Sequence, residues 1–314
     1  MTEIVEKALS AWGLNGAEFQ LIAARENAVY RVSTDDGYLA LRVHRKEYRT
    51  DAELNSELVW MAEASRCGIS VPTPIANSFG NYLHHIDDAQ IDILTWLAGK
   101  PLSKVIAGLG EDERSRLFFN LGREMAKLHA TSDAWSTPEG FDRVHWNVDG
   151  LLGENPLWDR FWENPELTRE QRVLLVEFRH AALNVLNTLD GGLDYGLIHA
   201  DLVPDNILVD DHQLRLIDFD DGGFGYRLFD IATSLLKHRS LEDYQTIKGA
   251  LINGYHATRD LDVSMLDLLI AIRSVTYVGW NIIRLNEEHG IERNKRFIDT
   301  SLELIRDYLE AKRV

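Results

Sequence analysis

The sequence predicts an α+β protein of two lobes: a small antiparallel β-sheet with one helix, then a larger and mostly helical lobe. Three observations lead there. Short β-rich runs occupy the first 97 residues, long helical patterns fill the chain beyond Gly99, and a strand–loop–strand island, Gly196 to Asp221, interrupts the helices. The lobes therefore divide as residues 1–97 and 98–314 of the 314-residue chain. A chain of this length buries roughly 75% of its unfolded surface, enough for a substantial core.

Ile4 to Trp12 reads as a short amphipathic helix stopped by Gly13. Strand runs follow at Phe19 to Ala23, Ala28 to Ser33 and Tyr38 to Val43; the last two flank Thr34-Asp35-Asp36-Gly37, a hairpin-turn composition. Thr50-Asp51-Ala52-Glu53 is a capping box, after which Leu54, Leu58 and Met61 keep one stripe of a helix running to Arg66. Gly68 ends it, and Val71-Pro72-Thr73-Pro74 forces extended backbone. Asn81 to Ile86 and Gln90 to Trp96, joined across Asp87-Asp88, complete the strands of the small lobe.

Helical patterns then cover Phe118 to His129, Arg169 to Leu189, Ser264 to Glu288 and Lys295 to Lys312. Between Pro138 and Leu167 the periodicity is lost, and Trp146, Trp158 and Trp162 either pin that segment to the helices or serve a site. Gly222-Gly223-Phe224-Gly225 lacks the strand-then-helix setting of a dinucleotide fingerprint and reads as a turn. His84 and His85, adjacent on a strand, point to opposite faces, which argues against a shared metal.

Composition narrows the function. Acidic residues number 50 against 33 basic ones, a formal charge of -17 that repels phosphate backbones and argues against nucleic acid. The same surplus keeps a protein soluble and suits a cationic substrate. The single cysteine, Cys67, allows no internal disulfide, and the N-terminus lacks a signal-peptide pattern. No apolar run reaches the about 18 residues of a membrane span, so a cytoplasmic location without a membrane partner is expected.

The strongest chemical signal is His199-Ala200-Asp201-Leu202-Val203-Pro204-Asp205-Asn206. It follows the strand end Gly196-Leu197-Ile198 and precedes the strand Ile207-Leu208-Val209; a second strand, Gln213 to Ile217, then delivers Asp218-Phe219-Asp220. Phosphoryl transfer needs an acceptor hydroxyl held in line and metal ions bridging the phosphates. Asp201 is a carboxylate that can take the hydroxyl proton. Asn206 and Asp218 offer an amide and a carboxylate oxygen, the hard donors magnesium prefers.

These residues resemble the HxDxxxxN and D-[FLY]-x motifs of the aminoglycoside phosphotransferase and choline kinase superfamily, near type II homoserine kinases. Ala200 fits the Gly, Ala or Asn of that superfamily, where eukaryotic protein kinases carry Arg. Leu128-His129-Ala130 and Asp230-Ile231-Ala232 match further family motifs, so the resemblance spans nearly the whole chain. It implies a bilobal protein-kinase-like fold, with nucleotide bound by the first lobe and catalysis and acceptor binding in the second. It implies transfer of the γ-phosphate of ATP to a small-molecule hydroxyl, with Asp201 as catalytic base. Asn206 and Asp218 would hold one or two Mg2+, while His199 and Asp230 brace the loop.

By family register Arg42 stands where most relatives place a phosphate-gripping Lys; its guanidinium is always charged and can hold oxygens bidentately. Glu53 is occupied in the capping box, which leaves Glu57 as the acid that holds Arg42. Arg25-Glu26-Asn27-Ala28 stands where protein kinases carry phosphate-facing glycines, and adenine is expected near Thr95-Trp96-Leu97.

For the acceptor, Arg273, Tyr277, Trp280 and Arg284 share a face of the helix Ser264 to Glu288. That stripe either binds a carboxylate and stacks a substrate or is a half-buried face with snorkelling arginines. Asp220 and Asp221 would attract an ammonium group. Together they suggest an amino alcohol or a hydroxy amino acid such as homoserine. Two alternatives stand beside this reading. A protein Ser/Thr kinase would use the same triad, but only twelve positions separate Asp218 from Asp230, too few for a long activation segment. A non-catalytic nucleotide-binding pseudokinase would typically have lost one of the three chemical residues, and all are present.

Overall fold

The computed structural model describes residues 2–24, 27–189, 191–211 and 213–311. The chain opens with helix α1 (Thr2–Ala11), strands β1 (Phe19–Ala24), β2 (Ala28–Thr34) and β3 (Gly37–Val43), and helix α2 (Asp51–Arg66). Next come β4 (His84–Ile86), β5 (Ala89–Thr95), β6 (Lys100–Pro101), α3 (Leu102–Val105), α4 (Glu111–Ala134), β7 (His145–Trp146), α5 (Val148–Leu152) and α6 (Arg169–Thr188). Strands β8 (Tyr195–Ile198), β9 (Ile207–Asp210), β10 (Gln213–Leu216) and β11 (Gly223–Tyr226) lead to α7 (Arg227–Leu236), α8 (Tyr244–His256), α9 (Leu266–Trp280) and α10 (Gly290–Ala311). The chain forms two compact units. One comprises Met1–Gly108, Ala130–Arg143 and Asp205–Asp220; the other comprises Leu109–His129, Val144–Pro204 and Asp221–Val314.

The first unit is built on an antiparallel sheet of order β1-β2-β3-β5-β4. Alternation along the strands turns Tyr30, Val32, Leu41, Val43, Ile91 and Ile93 inward, where Val5, Ala8 and Leu9 of α1 cover them. Thr50 caps α2: its Oγ1 accepts from Glu53 N at 3.2 Å, and Thr50 N donates back to the Glu53 carboxylate at 2.8 Å. Such a cap contributes about 1 kcal/mol. The strand expected from Asn81 begins only at His84. Asn77 Oδ1 accepts from Phe79 N and Asn81 N, a local turn that competes with strand pairing. A second small sheet has the order β10-β9-β6.

The second unit is mostly helical. Every residue of α7 is buried, as is all of α9 except Asp267 and Trp280, so these two helices form its centre. The helix expected over 264–288 stops at Trp280. Asn281, fully buried, donates from Nδ2 to Gly290 O and accepts from Arg293 Nε, turning the chain towards α10. Arg284 therefore sits in a separate 3-10 turn, Ile282–Arg284.

Gly222 to Gly225 is not the turn its composition suggests. Gly223–Tyr226 is the middle strand of a β7-β11-β8 sheet, parallel to β7 and antiparallel to β8. A Cβ on Gly223 would lie 2.3 Å from Val144 O, and one on Gly225 2.4 Å from Ile198 Cδ1. Glycine is required for this close approach, and Phe224 and Tyr226 alternate with it along a strand that glycine composition disguises. Among the described residues no helix is long and apolar enough to cross a membrane.

Candidate active site

In the first unit the β9–β10 hairpin delivers two of the expected residues. Its last rung pairs Leu216 with Ile207, and Ile217 N donates to Asn206 O one step further at 3.0 Å. Asn206, just before β9, and Asp218, two residues beyond β10, thus leave the same end of one hairpin. Asp218 holds a left-handed φ of 68°, a conformation that costs a non-glycine residue roughly 1 kcal/mol or more. Among the described residues no three His, Cys, Asp or Glu side chains gather to hold a metal. Asn206 and Asp218 offer an amide and a carboxylate oxygen, donor types that suit Mg2+.

Strand register builds the cation site. Arg42 on β3 faces Asp92 on β5, and the two meet side-on: Nε and Nη2 donate to Oδ1 and Oδ2, both at 2.9 Å. Nη1 donates to Glu57 Oε1 of α2 at 2.7 Å, so Glu57 rather than Glu53 receives this arginine. Three of the guanidinium's five N–H donors are engaged within the protein. Burial alone would discharge Arg42, but Asp92 and Glu57 outweigh it and hold its pKa well above the usual value. Burial likewise opposes ionisation of Asp92, yet Arg42 and His44 bring its carboxyl down to about 2.

Asp92, His44 and Arg143 are parts of this site that the sequence reading missed. His44 Nε2 lies 2.6 Å from Asp92 Oδ2. Arg143 donates from Nη1 to Glu53 O at 3.0 Å, and from Nη2 to Phe219 O at 3.0 Å and Asp220 O at 2.6 Å, tying α2 to the segment after β10. Asp220, expected at the acceptor, is buried in this network, with its carboxylate 3.9 Å from Arg49 Nε. A sequence signal existed for Asp92, an acid inside the apolar run Ile91-Asp92-Ile93-Leu94. Of the loop expected to face the phosphates, Arg25 and Glu26 lie outside the described residues.

In the second unit Asp230 organises the loop that carries Asp201. Its carboxylate accepts from His199 N at 2.9 Å and Ala200 N at 2.7 Å, and His129 Nε2 lies 3.0 Å from it. Burial resists the charge on Asp230, but hydrogen bonds from His129 and the loop backbone keep its pKa below the ordinary value. Burial, with the nearby Arg227 charge, pushes His129 down to about 4. Ala200 takes φ = 64°, which explains a small residue between His199 and Asp201. Asp201 N in turn donates to His199 Nδ1 at 3.4 Å.

Asp201 does not stand alone. Arg273 Nη2, on α9, donates to its Oδ1 at 2.7 Å and to Tyr277 OH at 3.0 Å. The guanidinium lies over the rings of Trp158 at 4.5 Å, Tyr277 at 4.4 Å and Phe229 at 5.2 Å. Burial raises the Tyr277 hydroxyl, with the Asp201 and Asp221 charges adding to the shift against the pull of Arg273. Trp280, at the end of α9, stacks with Arg284 at 4.0 Å and Arg293 at 5.3 Å. The expected four-residue stripe is thus two pairs: Arg273 with Tyr277, and Trp280 with Arg284.

The chain carrying this Asp230-tied loop, the hairpin with Asn206 and Asp218 and the strand arginine held by a helix glutamate is similar to known proteins. The phosphotransferase enzyme family matches residues 18–262. The chain belongs to that family. This phosphotransferase is an ATP-dependent small-molecule kinase, with the kinase-like α+β fold. It is 29% identical over 281 residues to a homoserine kinase of Acidiphilium cryptum, covering 85% of this chain and 82% of that one. It is 24% identical over 238 residues to the amicoumacin kinase of Bacillus subtilis, covering 74% and 67%. Among solved structures, a microcompartment-associated aminopropanol kinase superposes with a TM-score of 0.86 at 26% identity, over 99% of this chain and 98% of that one. Choline kinase from Cryptosporidium parvum shares the fold, with a TM-score of 0.69 at 16% identity over 99% and 97%.

Proposed function

We propose that this phosphotransferase moves the γ-phosphate of ATP to the hydroxyl of a small amino alcohol or hydroxy amino acid, homoserine being one example. The observation that carries this reading is the Asp201 carboxylate, 23% exposed on a loop tied by Asp230. Asp201 takes the acceptor's proton as the new O–P bond forms and the bridging bond to ADP breaks. Asn206 and Asp218 would hold Mg2+, which would neutralise charge on the phosphates. Arg42, held by Glu57, grips phosphate oxygens with its remaining donors. Residues 1–97 supply the nucleotide lobe and 98–314 the catalytic lobe, with His199 and Asp230 as braces.

Support for the acceptor class comes from two directions. The homoserine and aminopropanol kinases among the relatives are named for acceptors that combine a hydroxyl with an amine. The charges of Asp201 and Asp221 both bear on the Tyr277 hydroxyl, and carboxylates of this kind suit an ammonium; Arg273, Trp280 and Asp220 are the further acceptor candidates. The test is ATP consumption over a panel of amino alcohols, hydroxy amino acids, aminoglycosides and a serine peptide. Turnover confined to the first two groups is expected. Turnover of only the aminoglycosides or the peptide would overturn the reading.

A further inference from the structure

We propose that the second unit carries a separate anion site, suited to a phosphate monoester, in a cavity of about 330 Å³ lined by α9, α10 and the segment after α7. The cavity brings together Lys237, Arg239 and Arg296 against one carboxylate, Glu303. Three cations thus line the cavity, with Glu303 and, 3.8 Å from Arg239, Asp307 as the acids beside them, in a protein whose overall charge is -17. A phosphate monoester carries close to two negative charges at neutral pH and so gains more from such a lining than a carboxylate, which carries one. Hydroxyls of Ser240, Ser274 and Thr300 also line the cavity and can donate to oxyanion oxygens.

Arg239 Nη2 lies 3.2 Å from Glu303 Oε1 and 3.8 Å from Asp307 Oδ2, while its Nη1 is buried without an acceptor. Glu303 is 66% exposed and can swing into solvent when an anion arrives. Arg296 and Lys237 are exposed at the cavity, as a charge meeting a diffusing ligand must be. The Lys237 ammonium sits 4.3 Å above the Tyr277 ring and 4.9 Å from Phe297, and the two rings stack at 5.0 Å. That stack fixes the lysine and offers an apolar wall to the organic part of an ester. A guanidinium can then grip two oxygens while the ammonium acts as a point charge.

The Tyr277 ring is common to this site and the Asp201 network, and Trp158 lies 5.8 Å from that ring, so occupancy has an optical reporter. The experiment uses the full chain saturated with a non-hydrolysable ATP analogue and Mg2+, which closes the nucleotide site to the probes. Phenyl phosphate, inorganic phosphate and benzoate are titrated by calorimetry, with tryptophan fluorescence followed in parallel. Phenyl phosphate should bind one-to-one, at least about tenfold more tightly than benzoate. Arg296→Glu and Lys237→Met should each weaken it by about tenfold or more. Arg296→Glu should keep the wild-type melting midpoint and turnover, which separates this site from acceptor binding. Absence of saturable binding, benzoate binding as tightly as phenyl phosphate, or an Arg296→Glu variant that binds like wild type would each overturn the proposal.

Discussion

Each unit buries an arginine against carboxylates, and the two are held differently. Arg42 gives three donors to two acids, Glu57 and Asp92, whose side chains are as dry as its own, and His44 adds a further bond to Asp92. Arg273 is equally buried, yet it has one acid, Asp201, which is 23% exposed. Aromatic faces cover the rest of its guanidinium, and its Nε is buried without an acceptor. Removing one member of a dry ion network strands an uncompensated charge, whereas a carboxylate in reach of water keeps an alternative. The first arrangement fixes its cation in the fold. The second leaves its acid available for chemistry.

The contrast is broken most directly at Asp92. Asp92→Ala should lower stability by about 3–5 kcal/mol, read from denaturant midpoints, because Arg42 and Glu57 lose their balance. A loss below about 1 kcal/mol would mean that the network is not architectural. Acid should separate the units next. Asp92 has its folded pKa depressed to about 2 from 3.8, so its contribution is fully present above 3.8 and is lost only as pH falls towards 2. His129 and His238, held neutral by burial with pKa values near 4 against 6.5, bind protons more readily when unfolded. Their effect therefore weakens the second unit progressively from pH 6.5 down to 4, by up to roughly 3 kcal/mol for each histidine. Hydrogen exchange measured across that window should rise in α4 and α7 before it rises in the β1–β5 sheet; the reverse order would contradict the assignment.

Smaller effects sharpen the functional side. Asp201→Ala should cut turnover by at least about 100-fold while leaving nucleotide binding largely intact. Parallel loss of both would remove Asp201 from its role as base. Asp218→Ala should instead abolish the metal dependence of nucleotide binding, and an unchanged magnesium titration would contradict that. Arg273→Gln should slow turnover by about tenfold, with a change in the pH–rate profile that a purely structural loss would not produce.

Much of this was legible in the sequence because it is local. The capping box at Thr50 and the hairpin across Asp35-Asp36 follow from adjacent residues, and the 199–206 motif carries its own spacing. The choice of Glu57 over Glu53 also rested on local logic, since one acid cannot serve both the cap and Arg42. What escaped depends on register and distance in the fold. Asp92 meets Arg42 only through β3–β5 pairing, fifty residues along the chain. Arg143 acts from an irregular segment with no periodicity, through carbonyl groups that any residue would carry. The Arg273–Asp201 bond spans 72 residues, and α9 reads as a half-buried stripe although it is buried nearly all round. The end of that helix is set by Asn281, whose partners lie in the chain beyond it.

The arginine on β3 has a practical corollary for anyone profiling kinases in cell extracts. Acylating nucleotide probes capture enzymes through a nucleophilic amine beside the phosphates. A guanidinium whose pKa is driven above its already high normal value offers no free base to such a reagent. Position 42 therefore offers no amine to such labelling and is closed to regulation by lysine acetylation.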